Sequence, residues 1–318
     1  PRAAPRVPPL CPVACYCPPD HPGAIYCDGR ELHDVPRIPA RVRFAYFQNN
    51  NIEALSECDL RDAGGLLGLN LDDNVLTSPT LSQDTLRSLR HLSQLHLQRN
   101  QLTEVPLGLP ASLEDLRLGQ NRIALVPKGA FARLSRLRML DLSANRLQVL
   151  RDDAFAGLSA LVQLNLAENR LRAMPPKVPA LLYQLILCDN VIESIPDNYL
   201  ASFPRLAWLD LGKNALGTRE KRTGIPERAF ISRALLNLRL SANHLQHVPA
   251  FHGNLVQLHL DENDIEDVNT TALCRPEGRE SSRLSYFRLD KNPIMESPQA
   301  PVTLGKLMHC FPYLQPMF

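Results

Sequence analysis

Leucine recurs along the chain in the pattern L-x-x-L-x-L-x-x-N-x-L, which is clearest in residues 137–147. Leu140 and Leu142 sit on either side of Asp141, so their side chains point to one face of a short strand while Asp141 points to the other. Asn145 comes where this strand ends, and its side-chain amide can pair backbone groups that a buried turn would leave unsatisfied. The pattern therefore predicts a strand followed by an asparagine-supported turn.

The same frame occurs eleven times in phase, with successive turn asparagines 20 to 29 residues apart. These asparagines are Asn50, Asn74, Asn100, Asn121, Asn145, Asn169, Asn190, Asn214, Asn243, Asn263 and Asn292. Such spacing is typical of leucine-rich repeats, which stack so that one core continues from repeat to repeat. We therefore predict an α/β leucine-rich repeat solenoid, mostly parallel β with an irregular convex side. It should form a curved arc of about 11–12 repeats.

The segments between the predicted strands differ in length and content. Short repeats carry Pro110 or Pro179, which favour extended or polyproline II backbone. Longer repeats carry Phe131, Phe155 or Phe230 after an alanine, and we expect these rings to fill the core behind the strands rather than to contact a ligand.

The chain divides by composition into a tail, a cap and a long repeat region. Residues 1–10 are rich in proline and arginine and should be a flexible tail, either a linker or the end of a basic extension that binds polyanions. Residues 11–41 contain four cysteines and fit an N-terminal cap over the open end of the first repeat. Zinc binding is the competing interpretation of this cluster, although it lacks C-x2-C pairs. The repeats occupy residues 42–265, and residues 266–318 form the C-terminal segment.

Composition narrows the class of protein without naming a partner. The net charge is +2, from 35 Lys and Arg against 33 Asp and Glu, so charge does not point to nucleic acid. No apolar run approaches the roughly 18 residues of a membrane span. Eight cysteines favour an oxidising compartment. The common phosphate-binding, zinc-protease and nucleophile motifs do not occur, so we expect no enzyme, cofactor or metal.

The N-terminal motif C-x3-C-x-C-x9-C, followed by residues 26–30, 46–50 and the proline-rich segment 174–179, resembles the class II small leucine-rich proteoglycans. The resemblance runs from Cys11 to the end of the chain. It implies disulfides Cys11–Cys17 and Cys15–Cys27, and a long C-terminal "ear" repeat closed by Cys274–Cys310. Two cysteines remain, Cys58 and Cys188, which we expect either to be free thiols or to link a covalent homodimer.

The concave face should carry the residues that alternate with the core leucines. Acidic and aromatic side chains there suit a long, basic, proline-rich partner such as fibrillar collagen, although a polar sheet face needed only for solubility would look similar. The predicted collagen-binding residues are Tyr46, Asp72, Asp115, Asp141, Trp208, Asp210, Asp261, Tyr286 and Arg288.

Basic residues concentrate on turns and flanks, where most are simply solvated, but together they make binding to heparin or heparan sulfate a second hypothesis. The predicted glycosaminoglycan-binding residues are Arg2, Arg6, Arg219, Lys221 and Arg222. Further basic clusters lie at Arg87, Arg90 and Arg99 and at Arg133, Arg136 and Arg138. Asn269, in Asn-Thr-Thr, is the predicted glycosylation site.

These observations favour a secreted protein of the extracellular matrix. The resemblance implies that it binds fibrillar collagen and organises fibril assembly, with a possible bridge to sulfated glycosaminoglycans. The alternative is a secreted ligand trap or receptor-like module for a growth factor or a microbial product, because the same solenoid serves both uses. The chain begins at Pro1 without a signal-peptide pattern, which fits either a processed chain or a shortened one.

Overall fold

The computed structural model describes residues 11–56, 60–81, 83–217, 225–274, 282–311 and 313–314. These residues fall into two compact units. The first comprises the chain up to Leu147 together with Arg151–Leu161, and the second comprises Gln148–Leu150 with the chain from Val162 onwards. Each unit is a parallel β-solenoid, which confirms the predicted leucine-rich repeat fold.

Each strand among the described residues consists of three residues, of which the central one is buried. In the first unit the strands are β1 (Ala24–Tyr26), β2 (Phe44–Tyr46), β3 (Gly68–Asn70), β4 (Gln94–His96), β5 (Asp115–Arg117) and β6 (Met139–Asp141). In the second they are β7 (Gln163–Asn165), β8 (Gln184–Ile186), β9 (Trp208–Asp210), β10 (Asn237–Arg239), β11 (Gln257–His259) and β12 (Tyr286–Arg288). Neighbouring strands within a unit pair in parallel with the core residues in register, as Leu69, Leu95 and Leu116 do.

Helix is sparse, as expected for short repeats. The helices among the described residues are α1 (Gln83–Ser88), α2 (Thr270–Leu273), α3 (Pro293–Glu296) and α4 (Ala300–Cys310), with 3-10 turns at Ser78–Thr80 and Tyr199–Ser202. In the part of the chain that the structure describes, no helix has the length and apolar character needed to cross a membrane.

The turn asparagines are buried and hold adjacent repeats together. Asn121 is 8% exposed, and its amide donates to the carbonyl oxygens of Leu97, Leu118 and Gly119 at 2.9 to 3.1 Å. Its side-chain oxygen accepts the Leu102 N–H at 3.0 Å. Leu97 and Leu102 belong to the preceding repeat, so this one side chain supports its own turn and the repeat before it.

A second regularity accompanies the asparagines. The residue before each of them has φ between 49° and 58°, in the left-handed region, although none is glycine. These residues are Asn49, Asp73, Arg99, Gln120, Ala144, Glu168, Asp189, Lys213, Ala242, Glu262 and Lys291. Such a conformation costs about 1 kcal/mol or more for a residue with a Cβ. The hydrogen bonds of the asparagine therefore help to hold each turn in an unfavourable conformation.

The phenylalanines of the longer repeats lie in the core, as predicted. Phe131, Phe155 and Phe230 are at most 2% exposed. The rings of Phe131 and Phe155 stack with centroids 6.5 Å apart and planes 6° apart. These side chains fill the space behind the strands and are not available to a ligand.

Disulfides close both ends of the chain in the pairs that the family resemblance implies. Cys11 bonds to Cys17, Cys15 to Cys27, and Cys274 to Cys310. Tyr16 and Tyr26 exchange backbone hydrogen bonds of 2.7 and 2.8 Å in an antiparallel bridge, which gives the cap its hairpin. Tyr26 also belongs to β1, so the cap contributes a strand that the leucine pattern does not show. The predicted segment boundaries at residues 41 and 265 remain predictions.

Replacing Asn121 by Ala should lower the free energy of unfolding by about 2–4 kcal/mol, because it removes four buried hydrogen bonds and leaves the Leu102 N–H without a partner. Urea denaturation followed by circular dichroism measures the change. Asn51→Ala is the matched control: Asn51 is exposed, so its removal should change stability by less than about 0.5 kcal/mol. Equal effects for the two variants would contradict the role assigned to the buried amide.

Candidate binding surface on the sheet

The residues on either side of each central strand residue point away from the core, and together they form the outer sheet face. In the second unit four half-buried side chains of this face, on β9 to β12, form what we call the aromatic strip. They are Trp208, Arg239, His259 and Tyr286. Their strands are consecutive in the sheet, so side chains from four repeats line one surface.

The rings of the aromatic strip are packed against polar groups. The guanidinium carbon of Arg239 lies 5.0 Å from the centre of the Trp208 ring, at cation–π distance. His259 and Tyr286 contact each other with ring centroids 4.8 Å apart and planes inclined by 33°. Trp208 and Tyr286 are therefore held in place rather than fully exposed, and their orientation is set before any partner arrives.

Three buried polar atoms in this region lack hydrogen-bond partners among the described residues: Asn237 Oδ1, Arg239 Nε and His259 Nε2. Asn237 is 5% exposed, and its amide nitrogen donates to the Gln257 side chain. Buried polar groups are normally paired, and each one left unpaired costs about 1–3 kcal/mol. These atoms lie beneath the surface of the strip, so a partner can reach them only when the side chains of the strip move.

Charged groups beside the strip are partly neutralised by one another. Burial raises the pKa of Asp210, although the Gly212 N–H at 3.0 Å and Arg239 at 3.8 Å act in the opposite direction. Burial, with the nearby charge of Arg239, lowers the pKa of His259 to about 4. His259 is therefore neutral at physiological pH.

Arg288, on β12, forms a bidentate pair of hydrogen bonds with the carboxylate of Asp290. The distances are 2.7 and 2.9 Å, and this bond lowers the pKa of Asp290. Arg288 also lies 3.6 Å from Asp261. The guanidinium is thus held between two carboxylates on the sheet.

Two predicted collagen-binding residues are buried and bonded within the chain. Asp72 is 8% exposed and accepts the Gln98 N–H at 2.6 Å, and Asp261 is 5% exposed and accepts the Ser241 hydroxyl at 2.7 Å. Both follow the second leucine of their repeat, where the chain leaves the strand and packs against the next repeat. Burial raises the pKa of Asp72. The two carboxylates are therefore not exposed on the sheet face as the alternation predicts, because they support neighbouring turns, and their part in collagen binding stays a prediction.

The other predicted residues of the first unit, Tyr46, Asp115 and Asp141, lie on its outer sheet face and have partners within the chain. Tyr46 stacks on Tyr26 with centroids 4.9 Å apart. Asp141 accepts the Ser143 N–H at 2.9 Å.

Asp115, on β5 of the same unit, has two basic neighbours. Arg117 lies 3.0 Å and His96 3.6 Å from its carboxylate. Burial acts to raise the pKa of Asp115, but the contacts with His96 and Arg117 outweigh it, so this pKa is lowered. The carboxylate is therefore charged and already paired.

Several predicted site residues lie outside the described residues. They are Arg2, Arg6, Cys58, Arg219, Lys221 and Arg222. Asn269 is exposed immediately before α2, and its glycosylation stays a prediction. Among the residues that the structure describes, no group of three or more His, Cys, Asp or Glu side chains is arranged to hold a metal ion.

The predicted collagen-binding set omits Arg239 and His259, which complete the aromatic strip, and the buried Asn237 beside them. The alternation that selects Trp208 also places these residues on the outer sheet face, so the available signal was their position in the repeat. What the alternation does not show is that Arg239 covers the Trp208 ring, because that contact joins two different repeats.

Cys188 is a half-buried free thiol on the second unit. Burial raises its pKa to about 12, and the carboxylates of Asp210, Asp189 and Glu168 act in the same direction. The thiolate, which is the reactive form, is therefore scarce at neutral pH.

Cys188 should react with iodoacetamide at pH 8 roughly a thousandfold more slowly in the folded protein than in urea, because its pKa is raised from 9.0 to about 12. Mass spectrometry of the Cys188 peptide measures the rate and separates it from that of Cys58. Asp210→Asn should speed the reaction by removing one carboxylate that raises the pKa. Rapid labelling of the folded wild-type protein would refute the assignment.

Comparison with known proteins agrees with the repeat frame. Residues 111–171 match the family model described as leucine rich repeat. The chain is 41% identical to keratocan of Homo sapiens over 316 residues, which cover 96% of this chain and 87% of that protein. It is 43% identical to prolargin of Bos taurus over 323 residues, which cover 98% of this chain and 82% of that protein.

Among solved structures, one chain of the octameric complex of Latrophilin 3, Unc5D and FLRT2 superposes with a TM-score of 0.64. The match covers 94% of this chain and all of that one, at 23% identity, and it supports the fold alone. The identity to keratocan and prolargin over nearly the whole chain carries more weight. This protein belongs to the small leucine-rich repeat proteoglycan family that includes keratocan and prolargin.

Proposed function

We propose that this protein is a secreted component of the extracellular matrix that binds fibrillar collagen and organises the assembly of its fibrils. The observation that carries the proposal is the aromatic strip, in which Trp208 and Tyr286 are held on the outer sheet face beside unpaired polar atoms of Arg239 and His259. The role is binding rather than catalysis.

The chemistry of the strip suits a collagen triple helix. Each collagen chain is a polyproline II helix rich in proline rings, with backbone carbonyls and basic side chains at its surface. Trp208 and Tyr286 offer flat faces for proline rings. The Arg239 side chain is 40% exposed, so its guanidinium can donate to a carbonyl, and the Asp210 carboxylate can attract a lysine or arginine of the partner. Four consecutive repeats contribute, so an extended ligand can make contacts along its length.

Membership of the proteoglycan family and the three disulfides support the extracellular setting. A sulfated glycosaminoglycan is the second partner that we propose, with Arg2, Arg6, Arg219, Lys221 and Arg222 as its first candidates. Homodimerisation through a disulfide is a separate hypothesis, for which the raised pKa of Cys188 makes Cys58 the better candidate.

A ligand trap or receptor-like module is the rival function, because an outer sheet face with aromatic anchors could also hold a globular protein. Fibril formation distinguishes the two. A collagen organiser should change the lag time or the final turbidity of purified type I collagen, whereas a trap should leave both unchanged.

Trp208→Ala should weaken collagen binding by about 1–3 kcal/mol, the range for an aromatic anchor at an interface, or about 5- to 150-fold in Kd. A solid-phase assay on type I collagen measures it. Tyr183→Ala is the matched control, since Tyr183 is a 51% exposed aromatic outside the strip and should have little effect. Unchanged affinity of the Trp208 variant, with its circular dichroism intact, would contradict the proposal.

Replacing Arg219, Lys221 and Arg222 by Ser should lower the salt concentration at which the protein elutes from heparin, because binding to a polyanion depends on screened charge–charge attraction. Elution of the variant at the wild-type salt concentration would show that these three residues do not contribute to heparin binding.

A further inference from the structure

The first unit contains a recess on its flank that is lined by three successive repeats and collects arginines from the first and the third of them. It is a cavity of about 330 Å³, and its lining includes Arg87, Arg90, Ser112 and Arg133. This volume falls in the range of about 300–1,000 Å³ that is usual for small-ligand sites.

Repeat length explains the recess. The repeat that ends at Asn121 is 21 residues long, whereas those that end at Asn100 and Asn145 have 26 and 24. The short repeat passes behind its strand at Leu109 and Pro110, both buried, so its flank is recessed between its two longer neighbours.

Each longer neighbour projects arginine into the gap. The repeat before the recess supplies Arg87 from the last turn of α1 and Arg90 from the turn that follows, where the Arg90 N–H bonds to the Ser88 carbonyl. The repeat after it supplies Arg133, just beyond the buried Phe131. Arg133 follows Arg87 and Arg90 by at least 43 residues in the sequence. Only the stacking of repeats brings it close to them.

The arginines of the recess have little acidic compensation. Among the described residues, Arg90 and Arg133 form no ion pair, and the residues that line the cavity include no acid. Arg87 lies 3.7 Å from Asp84, but the two side chains are 48% and 77% exposed. Solvent screens such a pair, so Asp84 contributes little to neutralising the charge of Arg87. The recess therefore has a local positive charge although the whole chain is nearly neutral.

We propose that this recess binds a sulfate group of a sulfated glycosaminoglycan chain. Guanidinium groups match the oxygens of sulfate and phosphate with paired N–H donors, which favours arginine over lysine at such sites. The buried Leu109 and Pro110 give the recess an apolar floor against which the C–H face of a sugar ring can pack. Arg136 and Arg138, exposed on the stretch that leads into β6, extend the positive surface for a longer polyanion.

This inference rests on the glycosaminoglycan part of the proposed function and gives it a site in the described chain. It is independent of collagen binding. It also differs from the hypothesis that the basic residues of the tail and of the segment 219–222 are responsible.

The test is the affinity of the full chain for a heparin octasaccharide at 0.15 M NaCl. Arg90→Ala with Arg133→Ala should lower it roughly tenfold and flatten its salt dependence, because two ionic contacts are lost. The matched control is Arg122→Ala with Arg146→Ala, which removes the same charge from two exposed positions of the same unit outside the recess. The control should stay within about twofold of wild type.

Chemical protection locates the site directly. The octasaccharide should shield Arg90 and Arg133 from hydroxyphenylglyoxal, and the desulfated octasaccharide should not. Equal losses of affinity in the two double variants, or no protection of Arg90 and Arg133 by the octasaccharide, would overturn the assignment of the recess as a binding site. Heparin binding through other arginines would remain intact. A wild-type chain that does not bind heparin would overturn both the recess and the glycosaminoglycan part of the proposed function. Stronger protection by a sulfotyrosine peptide than by the octasaccharide would overturn the choice of ligand.

Discussion

The buried amide of the turn asparagine is the interaction on which the rest of the solenoid depends. Asn145 shows its full geometry: the amide donates to the carbonyls of Leu118 and Leu142 at 3.0 Å, and its oxygen accepts the Ile123 N–H at 2.9 Å. A strand of three residues makes few hydrogen bonds of its own. A side chain that satisfies backbone groups in two repeats at once therefore sets the spacing and register between them.

Because the asparagines and leucines carry the stability, the outer sheet face can vary without loss of the fold. In the first unit that face holds internal pairs, such as Asp115 with Arg117. In the second it holds the aromatic strip, where a tryptophan lies under a guanidinium and buried polar atoms lack partners. Buried polar atoms without partners occur in the first unit as well, at Gln48 Oε1 and His96 Nε2, so the tryptophan beneath Arg239 is what makes the second unit our candidate for collagen.

Variation in repeat length produces the other distinctive surface. Repeats of equal length would give an even flank, whereas the short repeat between Asn100 and Asn121 leaves a gap into which Arg90 and Arg133 project. The regular part of the molecule thus provides the scaffold, and the irregular segments provide positions for charge. The two proposed surfaces use different parts of the repeat, so one molecule could hold a fibril and a polyanion at once.

Local periodicity determined much of this protein by itself. The alternation of Leu140 and Leu142 specifies a strand and its buried face, because side-chain direction depends on position within a short strand. The asparagine marks the turn, and the recurring Ala-Phe pair of the longer repeats marks Phe131 and Phe155 as core residues. Tertiary structure decided what lies across repeats. It buried Asp72 and Asp261, which alternation alone places at the surface, placed Arg239 over Trp208, and joined β1 of the cap to the sheet. It also brought Arg90 to Arg133. These contacts join residues 20 or more positions apart, and they depend on how segments of unequal length pack between strands, which a local pattern does not encode.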